Sequence, residues 1–153
     1  MAQAVSWIFF LLPWVLLYPL DSQRVKRFAP VGLFSALVIT IIFQIAEKWN
    51  WWIINNNLFF LTSISSFVYG FLIVATILVF YFSYPNFLFY MIANLIIDAI
   101  QAFIISPFLF IKVGLYNLHK INAFELFLLM TLVSLIIYGY QKWQDTVFDE
   151  TKV

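Results

Sequence analysis

The sequence has no cysteine and only one histidine, His119, among its 153 residues. The absence of cysteine excludes disulfide bonds, thiolate catalysis and cysteine-ligated metal sites. A single histidine also excludes a multi-histidine metal centre, so we predict neither a metal ion nor another cofactor. Charged residues make up only 10% of the chain, and the formal net charge of +1 gives no reason to expect a nucleic-acid partner.

Apolar side chains dominate the rest of the composition. Hydrophobic residues account for 65% of the chain, and the mean hydropathy is +0.99. Soluble domains carry about 25% charged residues, so this composition indicates a protein of the lipid bilayer. We predict a single all-α domain over residues 1–153, a polytopic bundle of transmembrane helices.

Turn-forming and charged residues divide the apolar sequence into five segments, each about long enough to cross the ~30 Å hydrocarbon core. The dividers are a basic loop at 21–27, the Glu47-Lys48 pair, a turn at 83–86 and a loop at 108–120 that begins apolar. The basic residues follow the first segment instead of preceding it, so we interpret this segment as a retained span. The predicted spans are residues 3–20, 29–46, 58–81, 86–105 and 121–140, with a polar tail at 141–153.

The distribution of lysine and arginine predicts which ends of the spans face the cytoplasm. Basic residues in short loops favour the cytoplasmic side. One side holds five of them and the other holds three, which predicts an outside N-terminus and a cytoplasmic C-terminus. The tryptophans and asparagines of residues 49–60 are typical of the outer membrane–water interface. The larger set is Arg24, Lys26, Arg27, Lys142 and Lys152, and the smaller set is Lys48, Lys112 and Lys120.

Asp98 is an ionisable residue within an otherwise apolar span, where a charge is costly unless it has partners. Asn94, Asp98 and Gln101 are spaced i, i+4, i+7, so a helix presents all three on one face. Two interpretations are open at this point. The row either fastens helices together through hydrogen bonds, or Asp98 lines a cavity with Glu47 and Glu125 that opens to the outside and takes a cation or a proton.

Other polar residues are predicted at a similar depth. Thr40, Gln44 and Glu47 repeat the same spacing in the second span, and Glu125 lies near the outer start of the fifth. The helical rise of about 1.5 Å per residue places these side chains with the Asp98 row in the outer half of the bilayer. The predicted polar cavity or interhelical network consists of Thr40, Gln44, Glu47, Ser66, Asn94, Asp98, Gln101 and Glu125.

Small residues in the third span have the spacing of a close helix contact. Thr62, Ser66 and Gly70 follow one another at intervals of four residues. Such a row lets two helix backbones approach each other closely. We therefore expect another helix to pack on this face.

The order of features resembles a family of small multi-pass membrane proteins from spore-forming, Bacillus-type Firmicutes. The segments that carry the resemblance are LLPWVLLYPLD, SSFVYG, NLIIDAIQAFIISPF and IYGYQKWQ. The resemblance implies a location in the bacterial cytoplasmic membrane. It carries over no active-site residue.

No nucleotide-binding, hydrolase or metalloprotease motif is present in the sequence. We therefore expect a non-enzymatic subunit or partner in a bacterial membrane assembly, in contact with the lipid bilayer and with a second copy or another membrane protein. One alternative is a small channel or carrier for a cation, a proton or a small solute, with a polar cavity around Asp98. The other is a membrane-embedded enzyme that acts on lipid, which the sequence favours least because it shows no nucleophile and base pair.

Overall fold

The computed structural model describes residues 2–61 and 64–150. Three helices within these ranges are long and apolar enough to cross a membrane, namely Ser22–Trp49, Phe87–Ile111 and Ala123–Val147. Thr62 lies outside the described residues. The elements are the helices α1 (Ala2–Val15), α2 (Ser22–Trp49), α3 (Val68–Ser83), α4 (Phe87–Ile111) and α5 (Ala123–Glu150), and the strands β1 (Trp52–Ile54) and β2 (Tyr116–Leu118).

Helix α2 begins earlier than the sequence predicts. Asp21 is its N-cap, and the Asp21 carboxylate accepts a hydrogen bond from the Arg24 backbone N–H at 2.8 Å. Such a bond satisfies one of the free donors at a helix start. The predicted loop at 21–27 is therefore mostly helix, and Pro30 lies inside α2 instead of in its first turn. The helix ends at Asn50, whose φ of 55° is the left-handed conformation of a helix C-terminus.

Helices α4 and α5 continue past their predicted ends. The Asn86 side chain caps α4 by accepting from the Phe89 N–H at 3.0 Å. Proline lacks the N–H that an α-helix needs, which is why the sequence predicts a stop near Pro107. The helix instead passes this residue in π-helical geometry, over Gln101–Ile111. Helix α5 runs to Glu150 and so contains much of the predicted polar tail.

Helices α1 and α3 are shorter than the predicted spans 3–20 and 58–81. Helix α1 has 14 residues, which corresponds to roughly 21 Å at the usual rise. Before α3, the Asn57 amide donates to the Ile64 carbonyl at 2.6 Å, and the Asn57 oxygen accepts from the Leu58 N–H at 2.9 Å. These bonds stabilise a loop in the described part of residues 57–65, and α3 therefore begins later in the chain than the sequence predicts.

The helices run alternately between two ends of the bundle. At one end, Arg27 of α2 contacts Asp145 of α5. At the opposite end, β1 and β2 pair antiparallel, with Trp52 opposite Leu118. We call the first the basic end and the second the ribbon end. The ribbon joins residues from two loops that the sequence predicts on the same side of the membrane.

An aromatic cluster and one glycine determine how the helices pack. Phe80, Tyr90 and Tyr138 bring rings from α3, α4 and α5 together, with the Phe80 and Tyr90 centroids 4.7 Å apart. A Cβ built on Gly70 would meet the Phe9 carbonyl oxygen and would lie 2.5 Å from the Phe10 Cα, both on α1. The expectation of a close helix contact is therefore confirmed at Gly70.

Candidate functional site

Asp98 lies on α4 and faces α5 within the bundle. Its side chain is buried, with 5% of its surface exposed. The Ser134 hydroxyl of α5 donates to the Asp98 carboxyl at 3.4 Å, and the same hydroxyl lies 3.1 Å from the Met130 carbonyl of its own helix. A hydroxyl carries one proton, so Ser134 donates to one of these acceptors at a time. The contact therefore fastens α4 to α5 through a single shared hydroxyl group.

Tyr90 makes a second polar link between the same two helices. Its hydroxyl donates to the Ser134 backbone carbonyl at 2.9 Å. Tyr90 and Asp98 lie two helical turns apart on α4. Ser134 therefore bonds to both residues, to Tyr90 through its backbone carbonyl and to Asp98 through its hydroxyl. Sequence reasoning missed Tyr90 and Ser134, although Tyr90, Asn94 and Asp98 share the i, i+4, i+8 spacing of one helix face.

A small cavity lies beside Asp98. Its volume is about 50 Å³, and its polar lining includes Thr76, Asn94, Asp98 and Ser134. The lining contains no lysine or arginine. Apolar side chains of α3, α4 and α5 form most of the remaining lining. The cavity has room for water, because one water needs only ~10–15 Å³ of such volume.

Gln101 lies between this cavity and a second one of about 50 Å³ toward the ribbon end. Its side chain is 8% exposed, and its Oε1 atom is buried without a hydrogen-bond partner. An unsatisfied buried acceptor costs about 1–3 kcal/mol. The second cavity is lined largely by apolar groups, including Ile39, Trp52 and Met130. Gln101 is therefore a buried polar group that lines both cavities.

The other predicted residues on α3 and α4 make contacts of different kinds. Asn94 also lines the Asp98 cavity, but its amide donates to the Tyr90 carbonyl of its own helix at 2.8 Å. Ser66 is buried at the start of α3, away from the Asp98 cavity. The Thr40 hydroxyl of α2 lies 3.3 Å from the Tyr69 hydroxyl of α3. The structure thus brings Asn94, Asp98 and Gln101 together, as their spacing predicts.

Five of the eight predicted residues lie outside the Asp98 network, namely Thr40 and Ser66, described above, and Gln44, Glu47 and Glu125. The buried stripe of α2 passes through Ile39 and Ala46, whereas Gln44 and Glu47 are exposed beside it. Glu125 is exposed as well. Its carboxylate accepts from the Asn122 backbone N–H at 2.9 Å, while the Asn122 side chain accepts from the Glu125 N–H at 3.0 Å.

This reciprocal pair is a capping box, and it explains a carboxylate at the start of α5 without any ligand. Glu47 and Glu125 therefore do not line the cavity beside Asp98. Within residues 2–61 and 64–150, no group of three His, Asp or Glu side chains lies close enough to hold a metal ion.

The basic end holds a second polar cluster, which sequence reasoning missed. Asp145 of α5 accepts hydrogen bonds from the Tyr84 hydroxyl, from Gln141 Nε2 at 3.0 Å and from Arg27 at 3.3 Å. Burial, together with the hydrogen bond to Asp145, raises the pKa of the Tyr84 hydroxyl above its ordinary value. Gln141 is fully buried. Gln141 and Asp145, which the sequence places in the polar tail, therefore make contacts within the bundle.

No family model, no curated protein and no solved structure matches this chain. The resemblance to small membrane proteins of spore-forming bacteria therefore stays a prediction, and the residues described above are the basis for any functional conclusion.

Proposed function

We propose that the chain is a multi-pass protein of the bacterial cytoplasmic membrane that acts as a non-enzymatic subunit or partner in a membrane assembly. Its long helices bury little of their surface in the bundle. In the apolar windows of α2, α4 and α5, only 33%, 22% and 28% of the residues are buried. Large exposed apolar surfaces mark contacts with membranes or other proteins. On α4, Leu88 and Phe108 are 69% and 71% exposed.

The observation that supports a structural role most directly is the contact between Asp98 and Ser134. In a membrane, polar side chains within a bundle form hydrogen bonds between helices. Asp98 has such a partner, and the cavity beside it is small and lined mostly by apolar side chains. A conducting path would need a polar lining that continues from the Asp98 cavity to both ends of the bundle. Gln44, Glu47 and Glu125 do not provide such a continuation, because they do not line this cavity.

The proposed topology has five crossings with the N-terminus outside. The basic end carries Arg24, Arg27 and Lys142, which supports a cytoplasmic position for that end. Helix α1 and helix α3 are short for a ~30 Å hydrocarbon core. Local thinning of the bilayer and interfacial aromatic residues accommodate short helices at modest cost.

A small channel or carrier is the second candidate, and one observation favours it. Gln101 carries a buried, unpartnered amide oxygen, and its side chain lines both the Asp98 cavity and the second cavity. Rotation of the Gln101 side chain would join these spaces. Such a path would serve water, protons or a small cation.

Two measurements distinguish these roles. Light scattering on protein purified in mild detergent should give a particle whose protein mass exceeds the 18.0 kDa of one chain, because a subunit keeps its partner or a second copy. A strictly monomeric protein would count against the assembly role. In proteoliposomes that contain a pH-sensitive dye, we expect no proton flux above that of empty liposomes. Flux with the natural sequence that disappears in Asp98→Asn would instead establish the channel or carrier.

A further inference from the structure

A large cavity opens at the basic end, among the termini of several helices. Its volume is about 870 Å³, which is within the range of ~300–1,000 Å³ for ligand sites. The start of α2, the turn at Tyr84 and Pro85, and the last turns of α5 form its walls. Nothing in the proposed assembly role uses this cavity.

The cavity contains three cationic side chains, Arg24, Arg27 and Lys142, and two carboxylates, Asp21 and Asp145. Both carboxylates are already occupied by donors of the protein itself. Asp21 caps α2, and Asp145 accepts from three side chains. Among the described residues, Arg24 and Lys142 form no ion pair. The lining thus carries three cations against two carboxylates, a net charge of +1, and two of its cations have no ion-pair partner within the described part of the chain.

Aromatic rings hold these cations in place. The Arg24 guanidinium carbon lies 4.7 Å from the centre of the Tyr81 ring. The Tyr84 ring lies 5.7 Å from the Arg27 guanidinium carbon and 5.8 Å from the Lys142 Nζ atom. Cation–π contacts of this kind orient a guanidinium or ammonium group and leave its N–H donors free for another acceptor. Asp145 adds a direct bond to Arg27 and fixes it from the opposite side.

We propose that this cavity binds the phosphate group of an anionic ligand, with Arg24 and Lys142 as the principal contacts and Arg27 behind them. A guanidinium group matches the geometry of phosphate oxygens, and lysine adds a point charge. The start of α2, a helix of 28 residues, forms part of the cavity wall, and the dipole of a helix is positive at that end.

Two sources supply a phosphate group at this position. One is the headgroup of an anionic phospholipid, because basic pockets between helices at the cytoplasmic surface recognise such headgroups. The other is a soluble phosphate from the cytoplasm. The lipid source rests on the proposed membrane location, whereas the phosphate site itself rests only on the side chains around the cavity.

The test compares the full-length protein in nanodiscs of phosphatidylcholine alone with nanodiscs of equal parts phosphatidylcholine and phosphatidylglycerol. Bound lipid is counted by native mass spectrometry, and the melting temperature is measured in each disc. The site variant is Arg24→Gln/Lys142→Gln. The matched control is Lys112→Gln/Lys120→Gln, which removes two exposed cations outside the cavity lining.

We expect phosphatidylglycerol to raise the melting temperature of the natural protein and to remain bound. The site variant should bind it at least about tenfold more weakly, since it lacks two of the three cationic contacts to the phosphate group. The control should behave like the natural protein. Equal stabilisation in both discs, with no response to inorganic phosphate or glycerol 3-phosphate, would overturn the proposal, as would an unchanged site variant.

A third set of samples separates the two sources. Phosphatidylcholine discs receive inorganic phosphate or glycerol 3-phosphate in solution. Stabilisation by these ions that is lost in the site variant assigns the cavity to a soluble phosphate. Stabilisation by phosphatidylglycerol alone assigns it to the lipid. A protein that does not enter nanodiscs at all would contradict the proposed membrane location, which is a different outcome from a reconstituted protein that does not discriminate between the lipids.

Discussion

The Arg27 guanidinium and the Asp145 carboxylate lie 3.3 Å apart although 118 positions separate them in the chain. Arg27 belongs to the first turns of α2, and Asp145 to the last turns of α5. The pair therefore ties the start of one long helix to the end of another. Tyr84, between α3 and α4, donates to the same carboxylate, so four helix ends meet at one side chain.

Replacement of Asp145 by alanine should destabilise the protein. Arg27 is 52% exposed, so its ion pair contributes little in water. The larger effect comes from Tyr84 and Gln141, which lose their acceptor at a buried position, and a lost acceptor costs about 1–3 kcal/mol. Thermal unfolding in detergent should show a clear fall in the melting temperature. Glu47→Ala, which removes an exposed carboxylate from α2, is the control and should have little effect.

Truncation tests the same contact in another way. A chain that ends after Trp143 lacks Asp145 and should melt at a lower temperature than the full chain. A chain that ends after Val147 keeps the described contacts of Gln141 and Asp145 and should resemble the full chain. Equal melting temperatures for the two truncated proteins would show that the end of α5 does not stabilise the bundle.

Gly70 should tolerate no larger residue. An added Cβ would lie against the backbone of Phe9 and Phe10, which cannot move without displacing α1. Overpacking of this kind costs about 1–3 kcal/mol, so Gly70→Ala should lower the melting temperature. Gly139→Ala is the matched control, because nothing lies within 4 Å of a Cβ at that position. Alanine favours helix over glycine by about 1 kcal/mol, so the control should be neutral or more stable, and a reversed order would refute the proposed contact.

The sequence predicts the number of helices and the face that carries Asp98, because both depend on local patterns. Long apolar runs between turn residues predict helices, and the i, i+4, i+7 spacing predicts which side chains share a face. The sequence correctly predicts the turn before α4 from Ser83, Tyr84 and Pro85. Asn86 is the N-cap of α4. These features need no knowledge of the rest of the fold.

The remaining features depend on contacts between distant segments. The first turns of α2 contain polar residues that are typical of a loop, whereas the structure shows a helix that begins at the Asp21 cap and contacts α5 through Arg27. The ribbon consists of two strands of three residues each, too short for a recognisable alternation. Equal spacing in two helices also does not make their rows face each other, which is why Gln44 is exposed whereas Asp98 is buried.

The topology is open to a labelling test, since the natural chain contains no cysteine. Single cysteines replace Gln23 at the basic end and Asn55 at the ribbon end, both exposed positions. On intact cells, an impermeant maleimide should label the Asn55 variant and leave the Gln23 variant unlabelled. Both variants should react after the cells are opened. The opposite pattern on intact cells would reverse the proposed orientation.

The contact between Asp98 and Ser134 leads to the last prediction, which separates a structural role from a conducting one. Asp98→Asn keeps the size of the side chain and its ability to bond Ser134, so it should fold with a melting temperature close to that of the natural protein. Asp98→Leu removes the bond, and such contacts in membranes are worth about 0.6–1.7 kcal/mol. Its melting temperature should therefore be lower.

A double-mutant cycle attributes this loss to the contact itself. If Asp98 acts through Ser134, then Ser134→Ala should lower the stability of the natural protein but add little to Asp98→Leu, because the bond is already absent. Additive losses would mean that each residue stabilises the bundle through other neighbours. If Asp98→Asn instead folds normally but abolishes a measured proton or cation flux, the carboxyl group has a role that an amide cannot fill. The glutamine next along this helix face would then be the residue to replace, since Gln101 lines both the Asp98 cavity and the second cavity.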